Sequence, residues 1–413
     1  MDTTGARRFP FLLLAVWGVT RLFLLLYVLK VLVFPGPDVT TDVSAIYQGW
    51  YGTLRTGAFP RGDVAWQYPP AAALVMLSPA LLPFLDYTRA FFVLACLADL
   101  AVLCLLLYAA RRPGRTTRGA WLWTLGVALL GPTVYARYDL MVTAVAVAAL
   151  LAGVRRPGAM GALTGVGTLL KVWPALLLVG VTARRAWVSA LATAGGLALL
   201  FWVAMPGAFS FLSAQRERGT EVESLGALVF HVARHFGWKG RVLLNYGSVE
   251  FLGPRVDLVS SAALALTAGA FGWLLLWRVR VRGVPLPARV AAEAAFVAVA
   301  MFTVTSRVIS PQYLVWLVGL AAVCLCFGGS RMGLPAGLVL AACPVTVLEF
   351  PIHFDDVVAS DRQGVLLLLV RDGLLLLAAL TAARRLWRGT VPRPLPDVVP
   401  SRTTPGREPL GRP

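Results

Sequence analysis

The sequence predicts an all-α polytopic membrane protein of about twelve transmembrane segments, with interfacial helices in its first external loop. Three observations carry that prediction. Of 413 residues, 58% are hydrophobic and 14% charged, whereas soluble domains average about 25% charged. A soluble fold cannot hide such an apolar surplus, because much of its surface must stay polar. The apolar residues come in blocks of about 15–25, the length that spans a bilayer as helix. The basic residues lie in short clusters between those blocks, and clusters of this kind orient helices. A soluble enzyme, a disordered chain and a disulfide scaffold are thereby excluded. The formal charge of +18 points to membrane lipids and to no nucleic acid, since a nucleic-acid binder gathers its cations on one soluble face. Five cysteines, all inside apolar runs, read as buried thiols.

Each element follows from keeping the arginine clusters in the cytoplasm. Residues 11–34, after Arg7 and Arg8, go out. They are too long for a signal-peptide core and have no small-residue cleavage site, so the segment is read as retained. Residues 35–87 form the first external loop. Within it 70–85 is apolar but short and interrupted by Pro79 and Pro83, so it reads as a helix at the outer interface or dipping into it. Residues 88–110 return to Arg111–Arg118. Residues 121–134 leave and 140–154 return around a turn holding Arg137 and Asp139. Residues 159–183 start and finish beside cytoplasmic Arg pairs yet are about one crossing long, which predicts two half-helices bent near Lys171-Val-Trp-Pro174. Residues 187–204 and 258–277 enclose the second large external loop, 205–257. Residues 288–305 and 313–327 flank Ser306–Gln312, and 334–350 and 365–383 flank 351–364. The expected organisation is one transmembrane domain, 1–388, and a disordered cytoplasmic tail, 389–413, with both termini cytoplasmic. No internal repeat of the transporter kind is visible. Asp42, Asp139, Glu217, Glu221, Glu223, Glu250, Asp355 and Asp356 all fall on the outer side. Acids contribute little to orientation, so the functional apparatus is expected to face outward.

From Asp42, the residues Val43, Ile46, Tyr47, Trp50 and Leu54 recur at helical spacing, an aromatic stripe suited to lying flat on the membrane. Asp42 reads as a helix N-cap, shared with Thr41, or as a carboxylate above the headgroups that takes a proton from a hydroxyl. Asp38 after Pro37 reads as a turn residue. Arg137, Lys171 and Arg307 break the arginine pattern by lying on the outer side. Each is a phosphate partner or a helix-end cation paired with an acid such as Asp139 or Glu349, and Lys171 in a broken helix marks a polar cavity. His231 and His235 have zinc-compatible spacing but no third ligand, so they are expected as surface histidines of a lid helix. Glu221 and Glu223 read as a solvated face or an acceptor contact. His353-Phe-Asp-Asp356 offers too few oxygen ligands for a divalent ion, and no metal is expected.

In order along the chain stand Asp42, Gly57-Ala-Phe-Pro60, Tyr68-Pro-Pro70, Lys171-Val-Trp-Pro174 and Ser310-Pro-Gln-Tyr313-Leu-Val-Trp316. This set resembles the GT-C class of membrane glycosyltransferases and is most similar to the polyprenyl-phosphate-mannose-dependent family, glycosyltransferase family 87. The resemblance implies a GT-C-like fold in the plasma membrane and an extracytoplasmic active site without cofactor. A hexose, mannose in the family, would pass with inversion from a polyprenyl monophosphate donor to a hydroxyl of a glycolipid or glycan acceptor. The family's loop carboxylate, its general base, falls on Asp42. Arg307 and Lys171 are the expected phosphate partners, with Arg137 and Asp139 beside them. Tyr47, Tyr68, Gln312 and Tyr313 are expected to line the sugar or lipid-phosphate site. Relatives often carry a His where this chain has Gln312, which leaves a second acid/base group unassigned. The alternative class is a transporter or flippase of a lipid-linked sugar, for which Asp99 and Asp372, inside expected helices, would couple protons.

Overall fold

A computed structural model describes residues 3–392 apart from 62, 64, 215–218 and 246. Glu217 and residues 393–413 of the expected tail lie outside the described residues. Among the described residues, eleven helices have twelve residues or more: α1 Thr3–Val28, α2 Tyr87–Ala110, α3 Arg118–Leu129, α4 Asp139–Gly153, α5 Pro157–Leu170, α6 Arg184–Ala204, α7 Val256–Arg280, α8 Arg289–Thr305, α9 Tyr313–Leu325, α10 Gly333–Val347 and α11 Arg362–Thr390. Six helices are long and apolar enough to cross a membrane. The expected break in the fifth segment is present. Helix α5 stops at Leu170, Lys171 is extended, and a short 3₁₀ helix, Trp173–Leu178, follows. Pro174 cannot donate to a helical ladder, and Lys171, Val172 and Trp173 at the break line a cavity.

Small residues let α5 and α6 cross closely. A Cβ on Gly161 would lie 2.0 Å from Ala186 O and one on Gly165 2.6 Å from Ala190 O, so a methyl at either would force the helices apart. The turns carrying basic residues gather at one end of the molecule. There Thr116 N donates to Cys326 O at 2.9 Å and Arg385 Nη1 to Arg331 O at 2.5 Å. Helices α3 and α9 run from that end to turns holding Arg137 and Gln312 at the other, so the polar apparatus is segregated from the arginine clusters.

Several expectations need correction. The first helix ends at Val28, six residues earlier than 34, and Lys30 follows at φ +59°. Residues 42–54 are helical, but the aromatic stripe faces protein. Val43, Tyr47, Trp50 and Leu54 are buried, with Tyr47 stacked on Trp50 at 5.6 Å between ring centroids. Rings find denser contact in the core than in headgroups. Residues 70–85 give only Ala72–Leu77 and a 3₁₀ turn, Ser78–Leu81, with Ala72, Ala73 and Met76 buried. Cys324, Cys326 and Cys343 are buried, whereas Cys104 is exposed on its helix.

The segment 205–257 contains a sheet that helical periodicity does not announce. Strands β1 Thr220–Glu221, β2 Arg241–Asn245 and β3 Ser248–Leu252 pair antiparallel in the order β1-β3-β2. The β2–β3 turn carries Gly247 at φ +75°, a conformation glycine adopts without penalty. Val222, Ala227, Phe230, Phe251, Val357 and Leu368 form a small separate core beneath it.

His231 is not a surface histidine. It is fully buried, its Nε2 donating to Val222 O at 2.8 Å and its Nδ1 accepting from Ser360 Oγ at 2.7 Å. A carbonyl can only accept, which fixes the neutral tautomer. His235 remains exposed and meets Ser360 O at 2.9 Å. Burial, with Arg234 and His235 adding positive charge, pushes the His231 pKa down to about 4. The folded state therefore binds this proton less readily than the unfolded chain. Stability from this contact is complete above the ordinary histidine value near 6.5. It falls as pH drops from there to about 4, by about 3 kcal/mol in all. Limited proteolysis of the loop is expected to accelerate across that interval, and His231→Gln to flatten the dependence.

Glu221 and Glu223 are likewise buried, 2% and 5% exposed, which removes the solvated-face reading. Glu223 lies 3.8 Å from Arg371 Nη1, a buried cation that also meets Glu349 at 2.5 Å and Asp372 at 3.0 Å. This cluster joins the external sheet to α11 and the end of α10.

Candidate active site

A cavity of about 450 Å³ opens where the loop between α1 and α2, the α5 break and the α8–α9 turn converge. Asp42, Tyr47, Tyr68, Lys171, Arg307, Gln312 and Tyr313 all line it. Arg137 and Asp139, the remaining nominated residues, stand directly behind two of these.

Asp42 begins a short π-helical turn, Asp42–Tyr47, and Thr41 before it makes no side-chain cap bond. The Asp42 carboxylate instead meets Arg137, Oδ2 to Nε 3.1 Å. This corrects the expected partner of Arg137, which was Asp139 or Glu349. Arg137 Nη1 also donates to Val39 O at 3.0 Å and Ala136 O at 2.9 Å, tying the α3–α4 turn to the first external loop. Burial opposes the charge on Arg137, yet Asp42, with Tyr47, Tyr68 and Asp139 around it, holds its pKa above the ordinary value. Asp38 is the turn residue expected, accepting from Thr40 N at 2.9 Å and meeting Lys30 at 2.7 Å.

Lys171 projects from the helix break into a ring of aromatics. Its Nζ lies 4.9 Å from the Tyr138 centroid, 5.1 Å from Trp316, 5.6 Å from Tyr313 and 5.7 Å from Tyr68, within cation–π range. Asp139 Oδ1 stands 2.6 Å from Nζ and accepts from Trp316 Nε1 at 2.7 Å. Trp316 stacks between Tyr313 at 4.0 Å and Trp173 at 5.2 Å. The Ser310-x-x-Tyr313-x-x-Trp316 spacing thus puts Tyr313 and Trp316 on the face of α9 that meets Lys171.

Two buried donors on the cavity wall have no protein partner, Tyr47 Oη and Trp173 Nε1. Burial first, then Tyr68 and Asp42, raise the Tyr47 pKa well above its ordinary value, so it stays a neutral donor. Such orphans are rare in folded proteins and call for a ligand or water. Trp173 was not nominated from sequence, although it lies inside the Lys171-to-Pro174 element. Trp316 likewise lay in a quoted element without a role. Ser248 lines the cavity without any signal in its local sequence, because only the hairpin brings it there. Leu264, Thr267 and Phe302 supply an apolar side from α7 and α8.

Comparison with known proteins gives three findings. A family model described as Glycosyltransferase family 87 matches residues 66–311, a span that holds Tyr68, Arg137, Asp139, Lys171 and Arg307 but not Asp42, Tyr47, Gln312 or Tyr313. No curated protein sequence matches the chain. Among solved structures the chain is similar to ArnT from Cupriavidus metallidurans, in a crystal structure bound to undecaprenyl phosphate. The match has 17% identity and a TM-score of 0.45, and covers 95% of this chain and 78% of that one.

Proposed function

The chain belongs to glycosyltransferase family 87, of the GT-C class, and we propose that it transfers a hexose from a polyprenyl monophosphate to an extracytoplasmic glycolipid or glycan. Mannose is the sugar the family resemblance implies. The carrying observation is that Asp42, Lys171 and Arg307, from three remote stretches, line one cavity whose wall also holds two orphan donors.

The reaction assigns each group a task. The acceptor oxygen attacks the anomeric carbon while its proton passes to Asp42. The carbon–oxygen bond to phosphate breaks and the polyprenyl phosphate leaves with the electron pair. Arg137 aims Asp42, its Nε lying 3.1 Å from Asp42 Oδ2. Arg307 grips the phosphate oxygens, a guanidinium offering two parallel donors, and Lys171 adds its charge to that side. Tyr47, Tyr68, Gln312 and Tyr313 surround the sugar, and the apolar α7–α8 side receives the first prenyl units. In this reading the site faces the outer side of the plasma membrane, and an accessible Thr56→Cys thiol there should react with an impermeant maleimide from outside intact cells. Labelling only after lysis counts against that orientation.

Purified protein in liposomes is expected to release polyprenyl phosphate from a synthetic polyprenyl-phosphate mannose and glycosylate an added alkyl mannoside. Net translocation of the lipid without sugar transfer contradicts the assignment. Arg307→Gln is expected to lower kcat by about 10²–10³, the usual loss when one donor to developing negative charge is removed. An unchanged kcat places the phosphate elsewhere.

A further inference from the structure

Glu221 and Glu250 are cross-strand partners in register between β1 and β3. They are 2% and 0% exposed. Each carboxylate takes the hydrogen of a serine that lines the cavity: Ser310 Oγ donates to Glu221 Oε1 at 3.0 Å, and Ser248 Oγ donates to Glu250 Oε1 at 3.0 Å. Gly219 N at 2.9 Å and Asn245 Nδ2 at 3.3 Å help to fix Glu250. Glu221 N donates to Arg307 O at 3.0 Å, so one strand residue sets both Ser310 and the backbone of Arg307.

The chemistry of this wall differs from that of the rest of the cavity. A carboxylate accepts and does not donate. A serine whose hydrogen is directed at a buried carboxylate therefore turns oxygen lone pairs toward the space in front of it. The wall formed by the first external loop and the α5 break offers donors instead: Tyr47 Oη, Trp173 Nε1 and the Lys171 ammonium. Phosphate oxygens carry no hydrogen, and lone pairs repel them. Hydroxyl groups of a polyol can donate to those lone pairs.

On the reading of the site as a glycosyltransferase centre, we propose that the wall backed by the sheet is the acceptor wall, where Ser310 reads a hydroxyl group of a polyhydroxylated, glycan-type acceptor and Glu221 acts as the positioning residue for Ser310. An acceptor hydroxyl is thus placed against Ser310, beside the phosphate that the Arg307 guanidinium of the same turn holds. The glutamates are not among the residues that line the cavity, and Glu221 reaches it through Ser310 and the Arg307 backbone.

The test uses the full chain in liposomes, a synthetic polyprenyl-phosphate mannose as donor, and octyl α-mannoside with its set of monodeoxy derivatives as acceptors. For the wild type, removing one hydroxyl is expected to raise the acceptor KM about tenfold, the worth of one well-made hydrogen bond. Ser310→Ala should raise the KM of the parent mannoside by a similar factor, move the donor KM less than twofold, and abolish the penalty for that deoxy compound. Glu221→Gln should shift the acceptor KM in the same direction, and Ser310→Thr, which keeps the hydroxyl, should restore it. The proposal is overturned if every deoxy compound matches the parent in the wild type, or if Ser310→Ala shifts donor and acceptor KM together. Absence of any sugar release from the donor, to acceptor or to water, overturns the glycosyltransferase reading itself, which is a separate result.

Discussion

Asp42→Asn and Asp42→Ala are expected to lower sugar transfer by about 10²–10⁴-fold, the range for losing a positioned general base. Both variants should still insert and keep the donor KM close to that of the wild type. The physical reason is the division of labour at the cavity mouth. Arg137 is held by Val39 O and Ala136 O as well as by Asp42, so it keeps its place when the carboxylate is gone. The Arg137 guanidinium left behind is 11% exposed and keeps both carbonyl acceptors, so the loss of Asp42 leaves it hydrogen-bonded. Arg137→Lys provides the contrast. It preserves a cation but removes the Nη1 bonds to both carbonyls, so Asp42 is poorly aimed. Its kcat should fall less than that of Asp42→Asn, with the pH dependence of kcat unchanged in shape. If both Asp42 variants run at near wild-type rates in correctly inserted protein, the carboxylate only anchors Arg137 and the base is another group.

Much of this site was legible in the sequence because it is built from charges placed where a membrane chain rarely tolerates them. Lys171 beside Pro174 predicted a broken helix and a polar cavity, and the structure has both. Arg137 and Arg307 stood out by breaking the arginine pattern, and their turns now lie at the end of the molecule opposite the arginine clusters. Pairing was less legible. Arg137 with Asp42 and Lys171 with Asp139 are choices made by packing among remote turns, and spacing carries no information about them. The external sheet escaped because its strands are two and five residues long. Arg241-Val-Leu-Leu-Asn245 also lacks the polar–apolar alternation of a half-buried strand. The burial of His231, Glu221 and Glu223 escaped with it. Their partners Ser360, Ser310 and Arg371 come from other loops and from α11, and a local reading sees only polar residues in an external segment. The aromatic stripe after Asp42 was read correctly as helical, but periodicity cannot say whether its apolar face meets lipid or protein.

Asp99→Ala is expected to destabilise the bundle by about 3–5 kcal/mol, the cost of leaving a buried charge without its partner. Asp99 is fully buried in α2. Its two oxygens accept from Arg21 Nε at 2.7 Å and Nη2 at 3.2 Å, from Trp123 Nε1 at 2.6 Å, from Tyr135 Oη at 2.8 Å and from Trp17 Nε1 at 3.3 Å. One carboxylate thus joins α1, α2, α3 and the α3–α4 turn. Arg21 is also anchored by Thr124 O at 2.6 Å and Thr20 Oγ1 at 3.1 Å. With Asp99 gone, a buried guanidinium, a phenol and two indole donors lose an acceptor at once. The double variant Arg21→Met/Asp99→Leu should recover most of the loss, because it removes the charge and refills the space with apolar atoms. Denaturant unfolding in detergent reads both quantities. A midpoint for Asp99→Ala equal to that of the wild type means that the network contributes nothing to stability. This geometry also bears on the transporter alternative. A proton-coupling carboxylate must bind and release its proton within each cycle. The Asp99 oxygens are occupied by one cation and three fixed donors, so freeing them for a proton cycle means breaking the joint between four parts of the fold. Asp99 is therefore built as a strut. The same packing carries the site, since Tyr135 and Arg137 belong to one turn. Partial unfolding around Asp99 should lower transfer in step with the unfolded fraction and leave the KM of the surviving protein unchanged.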